Sequence, residues 1–385
     1  MRLVHVIEGM HPDRGGPPVV CAALAAAQAR LGHDVTIVCE GEGSQADASD
    51  ALVRSMRGGD LVHVERVAQQ TLLKALFSDL GERSSALRAT FDLLHLHGIW
   101  NPIVLAASRA ARRARSPYLV SSHGALHPDC MTEKRARKQL ALALGWRGML
   151  RDARRVLCLN DEEARETDRI VSARVAMVLP NGVDVASLPA SAPNAFRESM
   201  PALGDRPYFV FVGRLDHVKG LDLLLDAYAA YRTLGGGADL VLVGPDWGER
   251  ASIEVAAACS PLLGHVHLAG ALYDNRKFAA LREALAFVHR PRYEGFGLAV
   301  VESMAVGTPA VISHRCLLPV QGEDDGVVVV ADEAGEFAAA LHRFDRDVSL
   351  RSTLSIQALA CVRRRFDWTL IAQSTLEAAG AVEAE

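Results

Sequence analysis

Short β-branched runs alternate with longer Ala- and Leu-rich segments along almost the whole chain. RLVHVIE (2–8) predicts a strand, and VVCAALAAAQARLG (19–32) predicts a helix that stops at Gly32. DVTIVCE (34–40), DLLHLHG (92–98), PYLVSSHG (117–124) and RVLCLN (155–160) continue the series of strands. This β-α-β-α rhythm predicts a parallel sheet with helices on both faces.

The rhythm lapses at ASLPASAPNAFRESMPALGDRP (186–207), which is rich in Pro, Ala and Ser and has no sustained period. It then restarts with YFVFVG (208–213), a helix from Gly220, DLVLVG (239–244), HVHLAG (265–270), LAFVHR (285–290), TPAVIS (308–313) and GVVVV (326–330). The expected organisation is an α/β domain over 1–190, an interdomain linker over 191–207 and a second α/β domain over 208–367. A terminal helix, within 368–385, is expected to pack back on the first domain. Two doubly wound, Rossmann-like domains facing across a deep cleft would place a ligand crevice between them, outside the carboxyl ends of the strands.

A chain of 385 residues, half of them hydrophobic, is long enough for two cores. The net charge of −4 argues against general nucleic-acid binding. Seven scattered cysteines without a C-x-x-C pair read as reduced thiols of a cytoplasmic protein, not as a disulfide framework. The opening MRLVHVIEG is too short for a signal peptide, and no stretch approaches the roughly 18 apolar residues of a membrane span. Charge is uneven: residues 1–190 carry 24 Lys/Arg and 21 Asp/Glu, and the remainder 18 and 25. EKRARKQLALALGWRGMLRDARR (133–155) alone holds eight basic residues against two acids. It reads either as a solvated helix or as a basic amphipathic surface for an anionic membrane.

Three loops could carry chemistry. RGGPPVVCAAL (14–24) lies between the first strand and its helix, where free N–H groups suit a phosphate. It is not G-x-G-x-x-G, however, and Glu40 is the nearest acid to a ribose position, so a plain turn remains open. In VGRLDHVKG (212–220), Arg214 and Lys219 sit five apart in a strand-to-helix loop. A diphosphate needs such neutralisation, although solvated loops also carry Arg and Lys. In RYEGFGLAVVES (292–303), Glu294 precedes two glycines that permit close backbone approach, and Glu302 falls about two helical turns later. That separation is too long for a capping pair, and two carboxylates can accept hydrogen bonds from a hydroxyl-rich ligand.

EGFGLAVVE resembles the Glu-x7-Glu signature of retaining glycosyltransferases of family 4, which have the GT-B fold. PNGVD (180–184), VGRLDHVKG, GTPAVIS (307–313), the Gly15–Gly16 pair, LHLHGIWNP (94–102) and SSHGALHP (121–128) resemble that family's other marks in the same order, over essentially the whole chain. The resemblance implies that Arg214 and Lys219 hold the donor diphosphate and that Glu302 binds the nucleotide ribose. Glu294 would contact the donor sugar, with the backbone of Gly295, Phe296, Gly297 and Leu298 nearby. Gly15 and Gly16 would approach the phosphates, His123 would contact the sugar near the reacting carbon, and Asn181 would match the family's Asn-Gly turn. His97, Trp100 and His127 are candidates for the acceptor side; for Trp100 and His127 a structural role is the alternative.

The implied activity is retaining transfer of a sugar from a nucleotide-diphosphate sugar to an acceptor hydroxyl, in cell-surface polysaccharide or glycolipid assembly. The diphosphate's charge would be met by Arg214, Lys219 and helix N-termini without a metal, and the nucleotide sugar is a co-substrate, so no cofactor is expected. The acceptor would be lipid-linked, saccharide or small. A cytoplasmic protein on the inner membrane face, with no nucleic-acid partner, fits this reading. An epimerase or phosphorylase on the same fold, or a non-catalytic nucleotide-sugar-binding protein, are the alternatives.

The chain departs from the family at Arg292 and Tyr293, where a Ser is usual, and at CLLPVQGEDD (316–325), which replaces a GG-x-P-E segment. The His95-x-His97 pair has no third metal ligand near it in sequence. The D-x-D at Asp345 and Asp347 lies in a helical segment and reads as surface charge.

Overall fold

The computed structural model describes residues 1–11, 14–41, 45–72, 80–190, 192, 194–272 and 275–380. The chain divides into two compact units, Met1–Asp184 with Trp368–Glu385, and Val185–Asp367.

The first unit is built on a parallel sheet of seven strands in the order β3-β2-β1-β4-β5-β6-β7. Its strands are β1 (Arg2–Ile7), β2 (Asp34–Glu40), β3 (Val62–Val67), β4 (Leu93–His97), β5 (Tyr118–Ser121), β6 (Arg155–Cys158) and β7 (Ala176–Val178). The order reverses at β1/β4, the position where doubly wound sheets bind ligands. Strands β1 and β4 are buried along almost their whole length, so they read as apolar runs and not as alternations. Two edge strands are additions to the expected set. β3 interleaves valines with His63, Glu65 and Arg66, and β7 has three residues, so neither makes an apolar run.

The helix Gly16–Arg30 is buried along most of its length, which explains its run of alanines: small side chains let it press on the sheet. The terminal helix Trp368–Ala378 packs against it through Trp368, Ile371 and Ala372. Gly182 lies under the Trp368 ring, where an added Cβ would stand 2.7 Å from the indole, so the Asn-Gly turn requires a glycine for close approach.

The second unit carries a six-stranded parallel sheet in the order β10-β9-β8-β11-β12-β13. Its strands are β8 (Tyr208–Val212), β9 (Asp239–Val243), β10 (Val266–Gly270), β11 (Ala286–His289), β12 (Ala310–Ser313) and β13 (Val327–Val330). The expected linker over 191–207 is corrected here. Residues 195–199 form a short helix, Phe196 and Leu203 are buried, and the Glu283 carboxylate accepts from the Phe196 and Arg197 backbone N–H groups at 3.0 and 3.4 Å. The segment belongs to the second unit; its Pro, Ala and Ser content masked two buried anchors. Residues 191 and 193 lie outside the described part.

The basic stretch 133–155 is not one helix. Helices Arg135–Ala141 and Arg147–Asp152 flank a wider turn at Leu142–Trp146, where Gly145 has φ 132°. Trp146, Met149 and Leu150 face the core, which leaves Leu140 and Leu144 as its exposed large apolar residues.

Candidate active site

In the first unit the candidate residues gather at the carboxyl ends of β1, β4 and β5. Gly15 adopts φ 89° and opens the helix Gly16–Arg30 without a side-chain cap; an added Cβ at Gly15 or Gly16 would meet nothing within 4 Å. The open space suits a ligand. Pro17 and Pro18 have no N–H, so of the first four helical residues Gly16 and Val19 alone offer backbone donors.

His123 follows β5 in a turn with φ 52°, a left-handed conformation that costs a non-glycine residue about 1 kcal/mol. The turn is held by its surroundings. The Ala125 N–H donates to the Ser122 carbonyl at 3.1 Å, and the Leu126 N–H donates to Oε1 of the fully buried Glu163 at 3.2 Å. His123 Nε2 stands 3.1 Å from His97 Nδ1, and burial pushes the His123 pKa down to about 4. His123 and Asn181 line one small pocket with Trp368.

The acceptor-side candidates separate. His97 is 1% exposed and engages both ring nitrogens, Nδ1 with His123 and Nε2 with His5, so it stands behind His123 and not in an open pocket. His127 is buried; its Nε2 donates to Glu162 at 3.0 Å and its Nδ1 accepts from the Asp129 N–H at the start of the helix Pro128–Thr132. That is a structural role. Trp100 is half-buried, donates to the Ala125 carbonyl and stands in the wall of a cavity of about 540 Å³ with Lys134, Arg137, Lys138, Leu140 and Leu144.

In the second unit, β8 leads into the loop of Arg214 and Lys219. Asp216 joins the two: its Oδ2 is 3.1 Å from Arg214 Nη2, and its Oδ1 accepts from the Lys219 N–H at 3.2 Å. The Arg214 guanidinium also lies 4.5 Å from the Trp247 ring centroid. Gly220 has φ 61°, and an added Cβ there would stand 2.4 Å from the Arg290 carbonyl oxygen, so the loop lies directly on the end of β11.

Lys219 Nζ donates to Glu294 Oε2, and His289 Nε2 donates to the same oxygen at 3.3 Å. Burial alone would raise the Glu294 carboxyl. The Lys219 charge, with the His289 hydrogen bond, outweighs burial and holds the group well below the usual carboxylate range. After Glu294 come Gly295, half-buried, and Phe296, whose ring is buried against Phe366, so Phe296 offers a ligand its backbone alone. Gly297 (φ 77°) opens the helix Leu298–Ala305 with no side-chain cap. Within that helix Glu302 accepts from Lys277 Nζ at 2.8 Å. Each acid of the Glu-x7-Glu pair therefore has its own lysine.

Three partners were missing from the sequence reading. His289 is the last residue of β11, within the run LAFVHR, a position that marks ligand-facing residues in such sheets, so a signal existed. Lys277 and Asp216 had no local signature. The departure at Arg292 has a structural reason: its guanidinium makes a bidentate pair with Asp222, at 2.7 and 2.6 Å, and donates to the His217 carbonyl. The Asp345-x-Asp347 pair is also structural. Asp345 accepts from the Tyr231 hydroxyl and Asp347 caps the helix Val348–Arg365.

Among the described residues, one group could hold a metal: His5, Cys21 and His97, with donor atoms within 4.8 Å of one another. His95 is not part of that group, its Nε2 being 2.8 Å from Ser121 Oγ; the partners of His97 come from β1 and from the helix Gly16–Arg30. The Cys21 thiol is raised well above its ordinary value by burial, so it is protonated at neutral pH.

Residues 194–359 match the family of glycosyl transferases group 1, and residues 15–182 match the glycosyl transferase 4-like domain. The chain is 30% identical over 296 residues to a phosphatidyl-myo-inositol mannosyltransferase of Mycobacterium leprae, covering 74% of this chain and 72% of that protein. It is 24% identical over 384 residues to a GDP-mannose:cellobiosyl-diphosphopolyprenol alpha-mannosyltransferase of Xanthomonas campestris, covering 94% and 87%. The structure of Anabaena HepE in complex with UDP and glucose superposes over 99% of this chain and 100% of that one, with a TM-score of 0.73 at 19% identity.

Proposed function

The chain belongs to the glycosyl transferases group 1 family and is a glycosyltransferase of the GT-B fold, and from that premise we propose that it transfers a sugar with retention from a nucleotide-diphosphate sugar to an acceptor hydroxyl. The observation that carries the donor assignment is the Lys219–Glu294–His289 cluster at the carboxyl ends of β8 and β11.

Lys219 has three N–H donors; the bond to Glu294 leaves two for phosphate oxygens. Arg214, 44% exposed, supplies a planar fork for the diphosphate from the same loop. Together they stabilise the negative charge that grows as the bond between the anomeric carbon and the phosphate oxygen breaks. In the proposed same-face step the electron pair leaves with that oxygen. The acceptor hydroxyl attacks from the side of departure, and its proton passes to the leaving phosphate. Glu294, ionised throughout, accepts hydrogen bonds from sugar hydroxyls, His123 contacts the sugar, and Glu302 accepts from the ribose. Lys219 and Arg214 supply the positive charge, so no metal is required.

The activities of these relatives favour a mannosyl donor and a lipid-linked or inositol-type acceptor. The cavity beside Trp100 combines exposed Leu140 and Leu144 with Lys134, Arg137 and Lys138, a chemistry that suits an anionic amphiphile at a membrane surface. No helix among the described residues is long and apolar enough to cross a membrane. A panel of nucleotide sugars, assayed with EDTA present and with the product's anomeric configuration read by NMR, tests the proposal. Turnover of one donor with retained configuration is expected; inversion, or dependence on added metal, would overturn it.

A further inference from the structure

Behind His123 lies a row of polar side chains that the proposed chemistry does not use. Gln28 of the helix Gly16–Arg30, His5 of β1 and His97 of β4 are each 1% exposed. They are linked in sequence: Gln28 Oε1 to His5 Nε2 at 2.7 Å, His5 Nδ1 to His97 Nε2 at 2.9 Å, and His97 Nδ1 to His123 Nε2 at 3.1 Å. Parallel pairing of β1 with β4 and of β4 with β5 sets the three rings side by side, with centroids 5.2 and 5.3 Å apart.

Burial holds His5 and His123 down to about 4 and His97 well below its ordinary value, so all three rings are neutral at pH 7. A neutral imidazole has one N–H and one lone pair, so the direction of one hydrogen bond dictates the next. The Gln28 carbonyl accepts from His5 Nε2, which leaves His5 Nδ1 as an acceptor. His97 Nε2 must then donate to it, and His97 Nδ1 becomes the acceptor for His123 Nε2. His123 Nδ1 is left with a lone pair and no protein partner among the described residues. Turning the Gln28 amide over would reverse every bond in the row.

We propose that Gln28, His5 and His97 are positioning residues that fix His123 as the Nε2-protonated tautomer, so that its Nδ1 accepts a hydrogen bond from a hydroxyl of the bound sugar. The assignment of a sugar contact to His123 rests on the function proposed above; the tautomer does not. Cys21 Sγ also lies against His5 and His97, and a cation bound there would take their lone pairs and break the row. The protonated thiol favours the hydrogen-bonded arrangement.

Long-range 1H–15N correlation on histidine-labelled, ligand-free protein reads the tautomers directly, with rings assigned by single substitutions. The expected result is Nε2–H on His5, His97 and His123. Gln28→Met should mix the His123 tautomers and lower kcat/KM on the order of tenfold. Nδ1–H on His123 in the wild type, unchanged tautomers in Gln28→Met, or one equivalent of metal lost on Cys21→Ala would each overturn the proposal. Expected tautomers together with normal turnover by His123→Ala would instead overturn the role given to His123.

Discussion

Lys219 and Glu294 stand 75 residues apart in the chain and form an ion pair on which the second unit's candidate site is centred. Each is less than one-fifth exposed, so the pair is poorly screened by solvent. Removing one partner leaves a largely buried charge. Lys219→Ala should destabilise the protein by roughly 2–3 kcal/mol in urea unfolding at pH 7, and Lys219→Ala with Glu294→Gln should recover part of that. Strict additivity of the two substitutions would mean that the pair is not formed in solution.

Gly220 explains how Lys219 is placed. With φ 61° and the Arg290 carbonyl in the position a Cβ would need, Gly220→Ala has to lift the loop. A loss of roughly 2–4 kcal/mol and a lower Tm are expected, with a raised donor KM. A Tm within a degree of the wild type would show that the loop does not lie on the end of β11.

The buried histidines give the protein an acid limit well above that of its carboxylates. His5, His95, His97 and His123 have native pKa values lowered by burial, so the unfolded state binds more protons than the folded one between about pH 4 and 6.5. Their stabilisation is complete above about pH 6.5 and is lost as pH falls, at up to roughly 1.4 kcal/mol per pH unit for each proton. Glu294, with a depressed pKa, adds its own loss only below its unfolded value near 4.5. Urea unfolding between pH 7.5 and 5 should show a steep decline that His97→Gln makes shallower; a flat profile would contradict neutral, buried rings.

Much of this was legible in the chain. The apolar runs predict the central strands of both sheets, and the loops after β8 and β11 carry their charged residues where doubly wound sheets bind ligands. What was not legible required contacts distant in sequence. The row from Gln28 to His123 spans a helix, two strands and the turn after a third, so His123 and His97 were legible as site candidates but their link to His5 and Gln28 was not. The Lys277–Glu302 pair is likewise formed by packing of two helices. Phe196 sits in a stretch whose composition says linker, yet one buried aromatic and one capping carboxylate assign it to the second unit.

Arg292 illustrates the same limit. It stands two residues before Glu294, the proposed sugar contact, but its bidentate pair with Asp222 gives it a structural task, and that hydrogen bond lowers the Asp222 pKa. The pair is partly exposed, so a double-mutant cycle should give a coupling of about 0.5–1 kcal/mol. Arg292→Ala should leave the ranking of donor sugars unchanged; an altered ranking in the nucleotide-sugar panel would return the residue to the sugar site.

In the proposed function the loop of Arg214 and Lys219 holds a nucleoside diphosphate without a metal. Calorimetric titration of UDP and GDP in EDTA, into wild type and Lys219→Ala, measures it directly. Saturable binding of one of the two by the wild type is expected, with a Kd raised by about 10- to 100-fold in the variant, the worth of a charge-assisted hydrogen bond. Equal affinity in the two proteins, or no binding until a metal is added, would contradict it.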